Sequence, residues 1–204
     1  LLEMTAAGCP KPAMRSVEFA RNHGVRLHVR SSFTWEVGTW VTEEESMEHA
    51  IISAVVDDDS EAKVTIAGVP DRPGIAASLF RRLADANVNV DMIVQNVSED
   101  GVTDISYTAP KEDLRTSLDI TQSLADEIGA TGVTSDSDIA RVSVVGAGMK
   151  SNPGVAATMF ETLAGNGINI EMISTSAIRI SCVIAAEQLE QAVVVLHDAY
   201  GLSS

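Results

Sequence analysis

The segment Asp71-Arg72-Pro73-Gly74 separates two stretches of different periodicity within residues 63–93, KVTIAGVPDRPGIAASLFRRLADANVNVDMI. Before the segment, Lys63–Gly68 alternates apolar and polar residues, which predicts a strand. After it, Ile75–Asn87 carries apolar residues at helical spacing, which predicts an amphipathic helix. A Pro-Gly turn suits the junction, because proline presets the backbone and glycine allows positive φ.

The same pattern occurs again in residues 141–173, RVSVVGAGMKSNPGVAATMFETLAGNGINIEMI. Matching residues lie 80 positions apart from the glycine of the turn onward and 78 apart before it, so the second copy carries two extra loop residues. It predicts a strand at Arg141–Gly146, a turn at Ser151-Asn152-Pro153-Gly154 and a helix at Val155–Asn166. A duplicated unit is the strongest signal in this chain.

Each copy continues as βαββα. The first adds a strand, a hairpin turn, a strand and a helix, at Val88–Val94, Glu99-Asp100-Gly101, Thr103–Thr108 and Lys111–Ile128. The second adds two strands and a helix, at Ile168–Ser174, Arg179–Ala185 and Glu187–Tyr200. Each unit needs one more strand for a four-stranded sheet. Thr131–Val133 can close the first, and the strand predicted at His49–Val56 is left for the second, so the first unit is expected to be inserted in the second.

Residues 1–34 lie outside the repeat. Lys11–His23 predicts a helix and Val25–Val29 a short strand, which together are too small to bury their own apolar faces. We therefore expect them to be the end of a larger upstream domain, joined to the repeats by a connector at Thr34–Ser46. The run Asp57-Asp58-Asp59 lacks the ligand spacing of a calcium loop, and a turn is favoured over a metal site.

Composition limits the possible partners. The 204 residues carry a net charge of −15, which argues against nucleic acid, because phosphate binding needs a basic surface. No apolar run is long enough to span a membrane. Cys9 and Cys182 lack metal-ligand spacing, and a reduced cytoplasmic protein without a bound metal is expected. Because the chain begins at Leu1, we interpret it as part of a longer protein.

With its Pro-Gly turn before the first helix, the βαββαβ unit resembles the ACT domain, a small-molecule sensor, and the pair resembles the regulatory region of aspartate kinase. The resemblance implies an α+β fold of two ferredoxin-like ACT domains in tandem, one inserted in the other. The stretch GCPKPAMRSVEFARNHGVRLHVRSSF is similar to the end of the family's α/β amino-acid kinase domain. The expected domains are 1–46 for the kinase remnant and linker, 60–138 for the first ACT domain, and 47–59 with 139–204 for the second.

The resemblance also implies an activity for the complete enzyme, the ATP-dependent phosphorylation of aspartate that begins the pathway to lysine, threonine and methionine. The residues that would bind ATP, Mg²⁺ and aspartate lie upstream in the family, so this chain alone is expected to be non-catalytic and to hold no cofactor. Some family members make the regulatory region as a separate subunit from an internal start, and Met47 is a candidate for that start.

The residues themselves suggest how an amino acid can bind. The first N–H groups of a helix attract a carboxylate, so Gly74, Ile75 and Ala76 can supply main-chain donors, as can Gly154, Val155 and Ala156 in the second copy. An ammonium needs acceptors. The first copy offers Asp71 and Gln95. The second has Lys150, Ser151 and Asn152 in its turn, which leaves Asp91 or the hydroxyls of Ser174, Thr175 and Ser176.

The resemblance assigns the ligands. It implies threonine at the first site and lysine at the second, at interfaces between ACT domains, for feedback inhibition. The threonine site comprises Asp71, Gly74, Ile75, Ala76 and Gln95, with Asn169 and Ile170 as a lid. The lysine site comprises Asp91, Met149, Lys150, Ser151, Asn152, Gly154, Val155, Ser174, Thr175 and Ser176. The expected partners are these free amino acids, the kinase domain or catalytic subunit, and a second copy in a homodimer.

Two other functions compete with this interpretation. A catalytic subunit would need a glycine-rich phosphate loop or a paired acid and base, and the sequence has neither at motif spacing. The same fold can also act only as a dimerisation scaffold without an effector. Turn chemistry and helix capping alone explain the residues at both corners, so titration with threonine and lysine is needed to separate a sensor from a scaffold.

Overall fold

The computed structural model of the chain describes residues 1–42, 52–97, 101–146, 149, 152 and 154–202. The chain divides into two compact units. One comprises Leu1–Asp58, Val142–Cys182 and Leu189–Ser204, and the other comprises Asp59–Arg141 and Val183–Gln188. Several predicted features lie outside the described residues: the acidic run 43–45, Met47, the first part of the strand expected from His49, Glu99, Asp100, Lys150, Ser151 and Pro153.

The first repeat forms a four-stranded antiparallel sheet with two helices. Its elements in chain order are β4 (Glu61–Pro70), α3 (Ile75–Asp85), β5 (Ile93–Val97), β6 (Val102–Pro110), α4 (Leu114–Ile128) and β7 (Gly132–Asp136). The strand order is β5-β6-β4-β7. The strand predicted around Thr131–Val133 does close this sheet, with Val133 paired to Ile66 on β4.

Alternation along β4 builds the core of this unit. Val64 and Ile66 are fully buried on one face of the strand, while their neighbours are half-buried. Leu79 and Leu83, one helical turn apart on α3, are fully buried and belong to the same core. Periods of two and 3.6 residues thus direct the apolar side chains of strand and helix into one layer.

Tyr107 on β6 carries the buried polar network of this core. Its hydroxyl lies 2.7 Å from Thr121 Oγ1, and Thr121 in turn donates to the carbonyl of Ser117 at 2.7 Å. Since the Thr121 proton is used there, the Tyr107 hydroxyl is the donor to Thr121. Burial raises the pKa of Tyr107 above its ordinary value, although its hydrogen bonds to Thr121 and Ser117 lower it.

We expect Tyr107→Phe to lower the free energy of unfolding by about 1 kcal/mol, because it removes a buried hydrogen bond while keeping the ring. Tyr200→Phe is the matched control. The Tyr200 hydroxyl donates to the carbonyl of Val155 at 2.7 Å but is half-buried, so water can replace it and the loss should be about half as large. Urea denaturation of both variants measures the difference, and equal losses would contradict the network.

The second repeat forms its own four-stranded sheet. Its elements are β3 (Ala54–Asp58), β8 (Ile139–Val145), α5 (Gly154–Gly165), β9 (Met172–Thr175), β10 (Arg179–Ala185) and α6 (Leu189–Ala199). The strand order is β3-β8-β10-β9. Strand β3 precedes the first repeat in sequence but lies in the sheet of the second. The insertion of one unit in the other is therefore confirmed.

The predictions of Val88–Val94 and Ile168–Ser174 as strands are wrong at their starts, because pairing begins only at Ile93 and Met172. Asn87 has a φ of 57° and ends α3, and the Val88 N–H then bonds back to the Leu83 carbonyl at 3.0 Å. Val88 and Met92 are buried, so their alternation reflects core packing and not strand pairing.

The acidic run after β3 and the segment before it also differ from prediction. Asp57 and Asp58 belong to the strand, so the turn expected there is wrong. Residues 1–42 contain α1 (Leu2–Ala6), α2 (Met14–Asn22), β1 (Leu27–Val29) and β2 (Thr39–Val41). Strands β1 and β2 pair, and His28 stacks on Trp40 at 3.9 Å, so the segment interpreted as a plain connector contains a strand.

Candidate functional site

The first candidate site is the start of α3. Gly74 is the residue before the helix, has a φ of 99°, and makes no side-chain cap. The first backbone bond of the helix runs from the Ser78 N–H to the Gly74 carbonyl at 2.9 Å. Within the described part of the chain, the N–H groups of Ile75 and Ala76 have no hydrogen-bond partner. These free donors at the positive end of the helix dipole suit a carboxylate.

Asp71 lies beside this helix start on a fixed backbone. Its N–H donates to the Gly101 carbonyl at 2.9 Å, and its side chain is exposed. Gln95 is also exposed but belongs to β5, the edge strand, which β6 separates from β4. The structure therefore places Asp71 at the corner and Gln95 at the sheet edge.

The second candidate site is the start of α5. Its first turn differs from that of α3, because the Val155 N–H donates to the Asn152 carbonyl at 3.2 Å and the Val155 carbonyl accepts the Tyr200 hydroxyl. Met149 is buried. Gly154 begins the helix, and a side chain there would meet nothing within 4 Å.

The three hydroxyl residues of the second site end β9. Ser174 is half-buried, and Thr175 and Ser176 are exposed. Ser176 forms a turn in which its N–H donates to the Arg179 carbonyl at 2.8 Å and its Oγ accepts the Ile178 N–H at 3.3 Å. Asn169 and Ile170 lie between α5 and β9, exposed and half-buried respectively. Their role as a lid stays a prediction.

Asp91 is engaged by a residue that the sequence analysis did not single out. It forms an ion pair with Arg141 on β8, and Arg141 Nη1 also lies 3.5 Å from Glu61 Oε1. The sequence offered one signal for this ion pair: Arg141 lies in a predicted strand with an apolar residue on either side. An arginine that is buried in such a strand requires carboxylate partners.

The two repeats also agree in packing. Every position from 81 to 96 has the same degree of burial as the position 80 residues later, from 161 to 176. Leu83 and Leu163 are fully buried, and so, nearly, are Met92 just before β5 and Met172 at the start of β9. The duplicated sequence therefore produces a duplicated local structure.

Among the described helices, none is both long and apolar enough to cross a membrane. In the same described residues, His, Cys, Asp and Glu side chains form no group of three or more that could hold a metal ion.

Comparison with known proteins agrees with the fold. The ACT domain family matches residues 63–128 and again residues 142–200. Two tandem units of this kind define a regulatory module of the ACT type. The aspartokinase of Mycobacterium tuberculosis (strain ATCC 25618 / H37Rv) is 49% identical over 207 residues, covering 99% of this chain and 49% of that protein.

Two solved structures are similar to the repeats. The ligand-free regulatory subunit of aspartate kinase from Thermus thermophilus has a TM-score of 0.70 and 40% identity, covering 73% of this chain and 98% of its own. A structure of aspartokinase alpha and beta subunits has a TM-score of 0.69 and 44% identity. The match covers 73% of this chain and 98% of that chain. The chain belongs to the aspartokinase family and contains its ACT-domain regulatory region. It spans about half the length of the curated relatives it matches.

Proposed function

We propose that this chain is the effector-binding part of an aspartokinase and that it binds free amino acids, threonine at the start of α3 and lysine at the start of α5. The observation that carries the proposal is the uncapped start of α3. Among the described residues, the N–H groups of Ile75 and Ala76 have no hydrogen-bond partner there, and the exposed Asp71 lies in the segment that leads into the helix.

This arrangement matches the two charges of a zwitterion. The helix start supplies donors and a positive dipole for the α-carboxylate, and Asp71 supplies a negative charge for the α-ammonium. Gly74 lets the ligand approach the backbone, since no atom lies within 4 Å of where its side chain would be. The corner can thus distinguish a free amino acid from a simple anion, because an anion cannot use Asp71.

The second corner needs a different ligand, because its helix start lacks an acid. The acceptors available to a cationic side chain are Asp91 and the hydroxyls of Ser174, Thr175 and Ser176. This difference in chemistry supports two effectors in place of one. Regulation follows if one arrangement of the enzyme binds the ligand more tightly, since that difference in affinity shifts the population of active enzyme.

The proposed protein partner is the catalytic half of the enzyme, which would bind ATP, Mg²⁺ and aspartate in the cytoplasm. Residues 1–42 hold five Lys and Arg against three Asp and Glu, whereas the rest of the chain is strongly acidic. This segment also exposes large apolar side chains, among them Phe33 at 97% and Trp35 at 95%. A cavity of about 580 Å³ lies in the same segment, lined in part by Val17, Ala20 and Val25. Exposed aromatic side chains at this density favour a protein contact.

The coverage of the relatives supports the same division. Regulatory subunits match about three quarters of this chain, while whole aspartokinases match nearly all of it. We therefore propose that residues 1–46 are the end of the kinase domain with its linker, that 60–138 form the first ACT domain, and that 47–59 with 139–204 form the second. The chain alone is proposed to transfer no phosphate.

A scaffold without effectors is the second candidate, and one observation favours it. The edge strands β5 and β9 carry Ile93 and Ile173 at or next to their first residue, and the two isoleucines occupy equivalent positions and are both exposed. Exposed apolar edges invite strand pairing with another copy. This supports a homodimer in either case, but it accounts for no ligand.

Calorimetric titration with threonine tests the proposed function. Asp71→Asn is expected to weaken threonine binding about tenfold, because it removes the charge that faces the ammonium. Asp85→Asn makes the same change at the exposed end of α3 and should leave the affinity within about twofold.

If Asp71→Asn and Asp85→Asn bound threonine with equal affinity, the threonine site would not include Asp71. If the folded, unmodified chain gave no heat with threonine or with lysine, only the scaffold role would remain.

A further inference from the structure

Arg141 is a buried cation between two carboxylates. Its side chain is 3% exposed, and it forms ion pairs with Asp91 and with Glu61, the latter at 3.5 Å. All three residues belong to the same compact unit. They come from β8, from the start of β4 and from the segment just before β5, so folding brings them together from distant positions in the sequence.

Glu61 keeps Arg141 in place. The Glu61 side chain is only 14% exposed, and its Oε2 is buried without a hydrogen-bond partner among the described residues. Removing the guanidinium would leave this enclosed carboxylate uncompensated, which is costly. Arg141 is therefore a permanent member of the cluster and does not leave when a ligand arrives.

Asp91 is the accessible member of the cluster. Its side chain is 36% exposed, while its backbone is fixed because its N–H donates to the Thr108 carbonyl at 3.2 Å. The next N–H, of Met92, donates to Thr108 Oγ1 at 3.1 Å. Asp91 is thus the carboxylate of this cluster that faces solvent.

We propose that Arg141 is a positioning residue for the second effector: it holds the Asp91 carboxylate at the orientation that accepts the ammonium of a basic amino acid. The inference rests on the proposed function, since it assumes that Asp91 belongs to the lysine site. A carboxylate fixed before binding loses less rotamer entropy when the ligand arrives, so Arg141 raises affinity without touching the ligand.

A double-mutant cycle on the full chain tests this, with calorimetric titration of lysine. Arg141→Gln is expected to weaken lysine binding about tenfold. In an Asp91→Asn background the same change should have no further effect, because Arg141 acts only through Asp91. Threonine affinity should change less than about twofold in all variants.

The possible outcomes are distinct. An Arg141→Gln effect of equal size in both backgrounds, no effect, or tighter lysine binding would each overturn the inference while leaving the proposed function intact. If the unmodified chain binds no lysine, the proposed function falls and the inference falls with it.

If Arg141→Gln does not fold, Arg141→Lys is measured in the same two backgrounds and gives the coupling between positions 141 and 91. An effect of about threefold is expected there, because lysine keeps the charge but loses the planar fork of the guanidinium. Zero coupling would again overturn the inference.

Discussion

Replacing Gly68 with alanine is expected to lower the free energy of unfolding by about 3 kcal/mol, the largest effect among the substitutions considered. The left-handed backbone accounts for about 1–2 kcal/mol, and displacement of packed atoms for a further 1–3 kcal/mol. Gly68 has a φ of 67°, and a Cβ there would lie 2.0 Å from Thr131 Oγ1 and 3.2 Å from the Thr131 backbone nitrogen.

The position is constrained because β4 changes register at this point. Pairing with β6 shifts between Ile66 and Val69, and the Gly68 N–H donates to Asp104 Oδ1 at 2.8 Å. Thr131 cannot move aside easily, since its N–H donates to the Ala67 carbonyl at 2.8 Å. The bulge and the closing strand β7 therefore meet at a residue without a side chain.

Gly129→Ala is the matched control. Gly129 has a nearly equal φ of 71°, but a Cβ there would meet nothing within 4 Å, so only the backbone cost of about 1–2 kcal/mol should appear. Urea denaturation gives both values. If the two variants lost the same stability, the close approach of Thr131 would have no energetic role.

Alkaline pH is expected to destabilise the fold through Cys182. Burial raises the pKa of this thiol from 9.0 to about 12. The native state keeps the proton above pH 9 while the unfolded chain releases it, so stability is complete below pH 9 and is lost as the pH rises toward 12. The expected loss is about 1.4 kcal/mol per pH unit once the unfolded thiol is ionised.

Tyr200 adds to the loss at higher pH. Burial, together with the charge of the nearby Cys182 thiolate, raises the pKa of Tyr200 from 10.0 to about 12. Because the unfolded phenol has a pKa of 10.0 and already ionises in part between pH 9 and 10, the contribution of the thiol is isolated by comparison with a variant that lacks it.

Denaturation under reducing conditions at pH 8, 9 and 10 measures the slope. The variant Cys182→Ala should be less stable at pH 8 because it loses packing. Its stability should nevertheless fall less steeply over this pH range. Parallel slopes for the two proteins would show that the buried thiol does not control the alkaline limit.

Much of the fold could be predicted because the apolar residues of each repeat follow the periods of strands and helices. The stripe of Leu79 and Leu83 predicted α3, and the alternation around Val64 and Ile66 predicted β4. The inserted topology followed from counting strands, since a four-stranded sheet lacked one member in each copy. The corners at Gly74 and Gly154 followed from turn chemistry, which depends only on neighbouring residues.

The errors occur where packing between residues distant in sequence decides which residues form a strand. Val88 and Met92 alternate as strand residues do, yet they insert into the core before pairing begins at Ile93. Strand β2 pairs Trp40 with His28, and although its three residues favour a strand, they are too few to show a period of two. Strand pairing between residues that are distant in sequence cannot be predicted from a local period.

The sequence by itself determined the duplication, the two Pro-Gly corners and the placement of one ACT unit inside the other, because periodicity and turn residues act over a few neighbouring positions. Only the tertiary structure decided that Arg141 lies between Glu61 and Asp91. Those residues are separated by tens of positions in the chain, and a buried charge finds its partners only after folding has brought them together.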